Sequence, residues 1–301
     1  TNYKKISFNK WEKITVAEAF QKYANINEKE LFDEKLFVQK AKELGADTIA
    51  TGHYAQNLLY ESQPSLYKGK DTGKDQSYFL YTLKSSILEN VLFPIGHLIK
   101  DQVRKIAKEN NLSTAEKKDS TGICFIGKRD FRPFLGEYLG FSPGNLETLD
   151  GKVIGEHTGA FFYTIGQRKG LHIGGKGEAW FVAGKDMKRN VVYVVQGENH
   201  PALYADDLSA SDLTWVNEKE PSLPYTCLAK IRYRQPDQPC MIQKIEDGIA
   251  YVDFLTPQRA ITPRQSIVFY DKDRCLGGGM IIQRGLSYME KKKALEHFSD
   301  N

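Results

Sequence analysis

The sequence has no run of about 18 consecutive apolar residues, the length that a membrane-spanning helix requires. Its first residues, Thr1 to Lys5, also lack the apolar segment of a secretory signal. Only four of the 301 residues are cysteine, and none of them forms a Cys-x-x-Cys motif. This scarcity excludes a disulfide scaffold and a cysteine-based zinc module. Together these absences predict a soluble, cytoplasmic protein without a membrane partner, in which any special cysteine acts alone.

The sequence also lacks the Gly-x-x-x-x-Gly-Lys-[Ser/Thr] motif of phosphate-binding P-loops, and its histidines show no metal-ligand spacing. The composition that remains is typical of a folded globular chain, with 41% hydrophobic, 27% charged and 12% aromatic residues. A length of 301 residues favours two or three domains over one. The net charge of +4 permits an anionic partner but does not require one.

The first half of the chain is rich in helical patterns. Apolar residues recur with an approximate helical period over residues 28–44, and Gly45 marks the end of that helix. Residues 48–54 have the pattern of a short buried strand that runs into a glycine turn, which makes a helix-strand-loop unit of the α/β class. The same periodicity predicts further helices over 85–92, 101–110 and 130–139.

The composition changes near residues 142–144, Ser-Pro-Gly, where glycine becomes frequent and short β-rich runs replace the helical ones. We place a domain boundary there. A first domain then covers residues 1–141, a central β domain covers 142–205 and a C-terminal β domain covers 206–290. The last residues, 291–301, form a charged tail.

Short β-rich runs fill the second half, and a hairpin signal at Glu246-Asp247-Gly248 suggests that the last domain is a small barrel. Further strands surround the glycine run 277–279. The fold class predicted from these patterns is α/β plus β. The predicted strands are residues 161–165, 180–183, 191–195, 241–245, 249–255, 267–270 and 280–282.

Cys124 lies in residues 117–129, a glycine-punctuated segment with two cations on either side. A nearby cation lowers the pKa of a thiol and favours the thiolate, which is the nucleophilic form. The alternative is a buried free cysteine packed between Ile123 and Phe125, and composition alone favours that alternative. The other cysteines fall in or beside predicted strands, and we interpret them as core or edge residues: Cys227, Cys240 and Cys275.

Three further segments place polar or basic groups beside aromatic rings or flexible backbone. Residues 73–81 suit RNA, because cations hold phosphates and rings stack on bases; a solvated loop before a core helix is the alternative. Residues 163–175 bring Arg168 and Lys169 beside glycines, which is typical of a phosphate grip or equally of a hairpin turn. Residues 232–235 carry two arginines around one tyrosine, as an RNA contact or an exposed strand end would.

Taken together, these segments resemble the tRNA-specific 2-thiouridylase family over roughly residues 28–285. Several long motifs occur in the same order, which argues against a chance match. The resemblance implies a nucleotide-binding α/β domain of the adenine nucleotide alpha hydrolase type, partial in this chain, followed by two small β domains, the last one barrel-like. The matching runs are residues 50–55, 74–81, 115–127, 163–175, 232–235 and 276–279.

The resemblance further implies an ATP-dependent enzyme that replaces the C2 oxygen of the wobble uridine of tRNA with sulfur. ATP, with Mg²⁺, would adenylate the base, and a cysteine persulfide would deliver the sulfur. The implied partners are tRNA and a sulfur-carrier protein that supplies the persulfide. An alternative from another class is a catalytically inactive tRNA-binding module.

Site residues follow from the resemblance motif by motif. Cys124 corresponds to the cysteine that bears the persulfide, and Gly52 corresponds to a position that contacts ATP. No residue corresponds to a metal ligand. The positions that correspond to tRNA contacts are His53, Lys74, Asp75, Gln76, Arg232, Tyr233 and Gln265.

Two motifs of the family have no match in this sequence. One is the Ser-Gly-Gly-Val-Asp-Ser type of pyrophosphate loop that holds ATP phosphates. The other is a Thr-Pro-Asn-Pro-Asp segment that ends in a second catalytic cysteine, whose expected position falls near Asn27. Because the sequence opens on Thr1 rather than Met, we expect that part of the first domain has been omitted or truncated.

Overall fold

The computed structural model describes residues 47–116 and 140–292, together with the single positions 43, 45 and 136. The helices predicted over 28–44 and 130–139 therefore lie largely outside the described residues. None of the described helices is long and apolar enough to cross a bilayer. The first group of elements is β1 (Ile49–Ala50), β2 (Ala55–Tyr60), β3 (Gln63–Lys68), α1 (Ser77–Leu80), α2 (Ser85–Leu88), β4 (Val91–Leu92) and α3 (Lys100–Glu109).

Strands β1 and β4 form a short parallel pair, in which Ile49 lies opposite Val91. The helix predicted over 101–110 is confirmed as α3, whose first turn is closed by the Gln102 side chain accepting from the Ile99 amide at 3.1 Å. The helix predicted over 85–92 is wrong in its second half, because Val91 and Leu92 leave the helix to pair with β1. Asn57 satisfies the carbonyl groups at this change of direction by donating to Leu88 and Val91.

A four-stranded sheet follows, in the order β6, β5, β8, β7. Its strands are β5 (Gly144–Glu147), β6 (Val153–His157), β7 (Trp180–Asp186) and β8 (Val191–Gln196). Buried apolar side chains such as Leu146, Val182 and Val192 form its core. The strand predicted over 161–165 is wrong: Ala160–Phe162 is a 3-10 helix that starts after Gly159 and buries Phe162 against the sheet.

The last elements close into a six-stranded barrel, which confirms the predicted barrel-like fold. Neighbouring strands follow the order β13, β10, β11, β12, β9, β14, and pairing of β13 with β14 closes the ring. The Asp247-Gly248 turn, with both φ angles positive, forms the predicted hairpin between β11 and β12. The strands are β9 (Tyr204–Trp215), β10 (Tyr225–Lys230), β11 (Gln238–Glu246), β12 (Ile249–Arg259), β13 (Ser266–Asp271) and β14 (Arg274–Arg284).

The glycine run 277–279 lies within β14, not in a loop between strands. A Cβ atom at Gly277 would collide with the backbone oxygen of Thr214, and one at Gly278 would collide with that of Ile267. Glycine is needed here because β14 lies between β9 and β13 at close backbone approach. The close approach lets β14 pair with both neighbouring strands and close the barrel.

The β2–β3 hairpin attaches the first group of elements to the barrel. Tyr67 on β3 pairs with Arg274 on β14, and the Lys68 amide donates to the Asp273 carbonyl at 2.9 Å. One apolar core spans the junction, since Leu66 from the hairpin and Tyr270 from the barrel pack in the same cluster. The loop that follows β3 is thereby held over the barrel end, where the candidate site lies.

Candidate nucleic-acid interface

The loop after β1 carries Gly52 and His53. Among the described residues, none would lie within 4 Å of a Cβ atom at Gly52, so this part of the fold leaves open space beside that backbone at the carboxyl end of a parallel strand, where α/β sheets commonly bind ligands. His53 is held by a 2.9 Å hydrogen bond between its Nδ1 and the Thr51 hydroxyl, and its ring meets Phe93 edge-on. Burial lowers the pKa of His53, so the ring is a neutral group at physiological pH.

Gln76 brings the second predicted segment against this loop. Its side-chain oxygen accepts from the backbone amide of Tyr54 at 2.9 Å, and the backbone amide of Gln76 donates to the Tyr54 carbonyl at 2.8 Å. These two hydrogen bonds to Tyr54 fix both the position and the orientation of Gln76. Residues 52–53 and 74–76, which are separate motifs in the sequence, are therefore neighbours in the fold.

Asp75 points inward, whereas Lys74 beside it is half-exposed. The carboxylate accepts from the Gly69 amide at 3.0 Å, from the Ser77 amide at 3.1 Å and from the Ser77 hydroxyl at 3.0 Å. Only 4% of the side chain is exposed, and Lys230 Nζ lies 3.6 Å away. Asp75 therefore holds the loop in place through hydrogen bonds on its buried side, and its charge is not presented at the surface of the described fold.

Two lysines extend this buried network into the barrel. Lys68 Nζ lies 2.6 Å from one oxygen of Asp237, and Lys230 Nζ lies 3.8 Å from the other. Both ammonium groups lie over the ring of Tyr270, at 4.6 and 5.5 Å from its centroid. Burial raises the pKa of the Tyr270 hydroxyl, which hydrogen-bonds to Ser77 at 3.1 Å. The network thus links the loop after β3 to the end of β10.

Arg232 lies just beyond β10, where the barrel meets the central sheet. Its Nη2 donates to the Ile165 carbonyl at 2.6 Å, to the Ala260 carbonyl at 3.0 Å and to the Thr262 hydroxyl at 2.9 Å. Burial, followed by the nearby Arg259, lowers the pKa of this guanidinium. Its buried Nε has no hydrogen-bond partner in the described part of the chain. Arg232 therefore joins two β units and retains unused donor capacity.

Tyr233 packs on α1, the helix that begins directly after Gln76. Its ring centroid lies 4.5 Å from that of Phe79 and 6.3 Å from that of Tyr78. Tyr78 donates through its hydroxyl to the Ser266 carbonyl at 2.9 Å, and burial is the main cause that raises its pKa to about 12. Gln265 is exposed immediately before Ser266.

The sequence-predicted RNA contacts therefore form one connected band across three parts of the fold. The Tyr54–Gln76 bonds join its first members, and the Tyr233–Phe79 contact joins the rest. Cys124 and the segment around it lie outside the described residues. The residues that sequence reasoning missed are Lys68, Lys230 and Asp237, because isolated charges in or beside strands give no local signal.

The glycine-rich segment 163–175 forms an irregular loop in the central unit. It borders a cavity of about 400 Å³ that Arg168, His172 and Trp180 help to line. The remaining described cysteines are buried, as predicted, and the Sγ atoms of Cys227 and Cys240 lie 3.6 Å apart across paired strands. They contribute to the barrel core, away from the surface.

Comparisons with known proteins agree with this architecture. Three family profiles match in succession: the tRNA methyl transferase HUP domain over residues 25–128, the tRNA methyl transferase PRC-barrel domain over 132–196, and the aminomethyltransferase beta-barrel domain over 205–281. The chain is thus an α/β nucleotide-binding type of domain followed by two β domains, as its fold-class prediction stated.

Similar curated proteins carry one name, tRNA-specific 2-thiouridylase MnmA. The protein from Protochlamydia amoebophila is 61% identical over 266 residues, which is 88% of this chain and 70% of the relative. The protein from Halalkalibacterium halodurans is 54% identical over 247 residues, covering 82% of this chain and 67% of the relative. The protein from Listeria monocytogenes is 53% identical with the same coverage. With identity this high over most of both sequences, the chain belongs to the tRNA-specific 2-thiouridylase family.

Proposed function

We propose that the protein transfers sulfur to C2 of the wobble uridine of tRNA in an ATP-dependent reaction that uses a persulfide on Cys124. The observation that carries the proposal is family membership at 61% identity, together with a band of candidate RNA contacts that one continuous structure brings together. The band combines cations, polar side chains and the half-buried rings of His53 and Tyr233, which is the chemistry that unpaired RNA requires.

The chemistry needs ATP as a substrate because the C2 oxygen of uracil is a poor leaving group. Transfer of the adenylyl group to that oxygen, with loss of pyrophosphate, makes AMP the leaving group. The terminal persulfide sulfur then attacks C2, a C–S bond forms, and AMP departs. Attack of a second thiolate on the Cys124 sulfur breaks the S–S bond, leaves the transferred sulfur on C2 and closes a disulfide. The family resemblance assigns that second thiol to the second catalytic cysteine of the family's Thr-Pro-Asn-Pro-Asp motif.

The described residues fit the nucleotide end of this reaction. The open backbone at Gly52 leaves room for a phosphate or ribose at the carboxyl end of β1, where a side chain would fill the space. Mg²⁺ would arrive with the ATP phosphates, since this ion usually keeps several waters and binds mainly through phosphate oxygens. His53 lies next to Gly52 and is neutral, so it offers a hydrogen bond to a base edge without adding charge.

The RNA end of the reaction uses the rest of the band. Lys74 and Arg232 would hold backbone phosphates, Tyr233 would stack on a base, and Gln265 would offer an exposed amide. Asp75 and Gln76 would act through the loop that they shape. An anticodon-loop base is already largely unpaired, so extruding it costs at most a few kcal/mol.

The experiment uses the intact protein with ATP, a persulfide-donating sulfur-carrier protein and tRNA, and detects thiolated tRNA on a mercury-affinity gel. Cys124→Ser is expected to abolish the product while leaving tRNA affinity within about twofold of that of the unchanged protein. Cys227→Ala, which alters a buried barrel thiol, serves as the matched control and should keep the product. Thiolation that persists in Cys124→Ser would remove Cys124 from the mechanism. Tight tRNA binding without any product from the unchanged protein would favour the binding-only alternative.

A further inference from the structure

An apolar ring lies exposed beside the candidate band. Phe79 on α1 is 56% exposed although its neighbours Ser77 and Tyr78 are buried. Its ring contacts the half-buried Tyr233 ring at 4.5 Å with an interplanar angle of 45°. A single exposed apolar side chain is ordinary, but two aromatic rings in contact at a surface form a platform of the kind that stacks on unpaired bases.

The rings of Phe79 and Tyr233, called the aromatic platform, are supported by the buried residue Tyr78. Tyr78 meets Phe79 edge-on at 5.4 Å and is itself anchored by the hydrogen bond to the Ser266 carbonyl. The Phe79 amide donates to the Gln76 carbonyl at 2.9 Å, which fixes the start of the helix. The rings therefore keep their places without being buried, and their exposure does not come from a loose segment.

Arg234 borders the platform and shares a cleft with a second exposed cation, Lys70. The Arg234 guanidinium lies 5.3 Å from the centroid of the Tyr233 ring, and its backbone has a φ of +67°, a strained conformation for arginine. Arg234 and Lys70 are both exposed and both line a cleft of about 780 Å³. Within the described part of the chain, no carboxylate lies within 4.0 Å of either cation.

The acidic residues of the same cleft are already paired. Asp237 lies between Lys68 and Lys230, Asp75 faces Lys230, and the remaining carboxylate, Asp273, lies 3.8 Å from Lys68. These three carboxylates exceed the two buried lysines by one charge, and the exposed cations at the cleft mouth, Lys70 and Arg234, bring the net charge of the lining residues to +1. Exposed cations at the mouth of a cleft attract anions.

We infer that the aromatic platform and the cleft mouth form one binding surface for an unpaired stretch of RNA, with a base stacked on the exposed Phe79 ring that Tyr233 supports, and with backbone phosphates held by Arg234 and Lys70. Arg234 belongs to both halves, because it touches the ring and lines the cleft. An acidic peptide would use the cations but not the ring faces, so the combination favours RNA. The inference rests on the proposed function for the identity of the ligand and adds Phe79, Lys70 and Arg234 to its contacts.

The test measures binding of a fluorescent anticodon stem-loop to the intact protein by anisotropy at several salt concentrations. Phe79→Ala is expected to lower affinity about tenfold with an unchanged salt slope, and Phe79→Tyr should restore it. The double variant Lys70→Gln/Arg234→Gln should reduce the salt slope by about 1.4, at about 0.7 for each lost phosphate contact to a single strand. Matched controls are Leu59→Ala, which removes an exposed apolar side chain on β2, and Lys105→Gln/Lys152→Gln, which removes two exposed charges elsewhere.

Each outcome has a separate meaning. If the unchanged protein does not bind the stem-loop, the proposed function fails and the inference fails with it. If the unchanged protein binds but Phe79→Ala behaves like Leu59→Ala, the inference alone is overturned. The inference is also overturned if the Lys70→Gln/Arg234→Gln variant keeps the full salt slope. It is overturned if Phe79→Ala weakens binding of a stem with paired loop bases as much as it weakens binding of the anticodon stem-loop. Competition by a polyglutamate peptide as strong as that by RNA would overturn it too.

Discussion

The substitution Asp75→Asn separates a buried positioning role from a direct surface contact. The amide oxygen of asparagine can still accept from the Gly69 and Ser77 amides, but an N–H group would then replace the oxygen that faces Lys230. The Lys230 side chain is only 12% exposed and would keep Asp237, at 3.8 Å, as its carboxylate partner. Loss of one partner from a buried ion pair costs about 3–5 kcal/mol, and the retained Asp237 contact puts the expected loss near 3 kcal/mol.

The assay is urea unfolding followed by tryptophan fluorescence, since Trp215 packs on Phe269 in the barrel and reports on its integrity. Asp273→Asn is the matched control because it removes a carboxylate from the same lysine cluster. That carboxylate is 81% exposed and lies 3.8 Å from Lys68, so its removal should cost under about 1 kcal/mol. If Asp75→Asn and Asp273→Asn prove equally mild, the buried network does not stabilise the loop as argued.

Two further predictions concern thiols and pH. Native protein treated with Ellman's reagent at about pH 8 should show at most one reactive thiol among its four cysteines. The reason is that Cys227, Cys240 and Cys275 are buried, and burial raises the pKa of Cys275 to about 12. A second thiol that reacts rapidly would contradict this prediction. His157 accepts from the Gly159 amide and donates to the Asn190 carbonyl, and burial lowers its pKa below the ordinary 6.5. The unfolded chain therefore binds the proton more readily, so the melting temperature should fall as pH drops from about 7.5 to 5.5, and His157→Gln should flatten that fall.

The parts of the fold that could be predicted are those with strong local signals. The Asp247-Gly248 turn and the helical period over 101–110 were sufficient for a hairpin and for α3. The β2–β3 hairpin was missed because its turn uses Glu61 and Ser62, which adopt positive φ angles without the usual glycine or asparagine. The run at 161–165 is rich in β-forming residues, but tertiary packing of its phenylalanines favours a 3-10 turn.

The sequence indicated which motifs belong to the candidate site, but it did not reveal how their side chains are arranged in space. The motif at 74–76 indicated polar contacts, yet nothing in its pattern reveals that Asp75 turns inward to meet amides and a lysine from β10. Lys68 and Asp237 are neighbours in space and far apart in the sequence, so no local pattern links them. The role of Cys124, the site-residue assignments and the domain boundaries at 142 and 206 remain predictions.

The pairing of Tyr67 with Arg274 means that β3, early in the chain, and β14, the last strand of the described fold, complete each other. A shortened chain that stopped before residue 204 would leave the end of β3 at Tyr67 and Lys68 without its backbone partners, and Leu66 would lose the barrel side chains that cover it. Exposed strand edges of that kind recruit other chains. During synthesis, the hairpin therefore has to wait until β14 has left the ribosome, and a premature stop codon in the barrel would produce an aggregation-prone fragment.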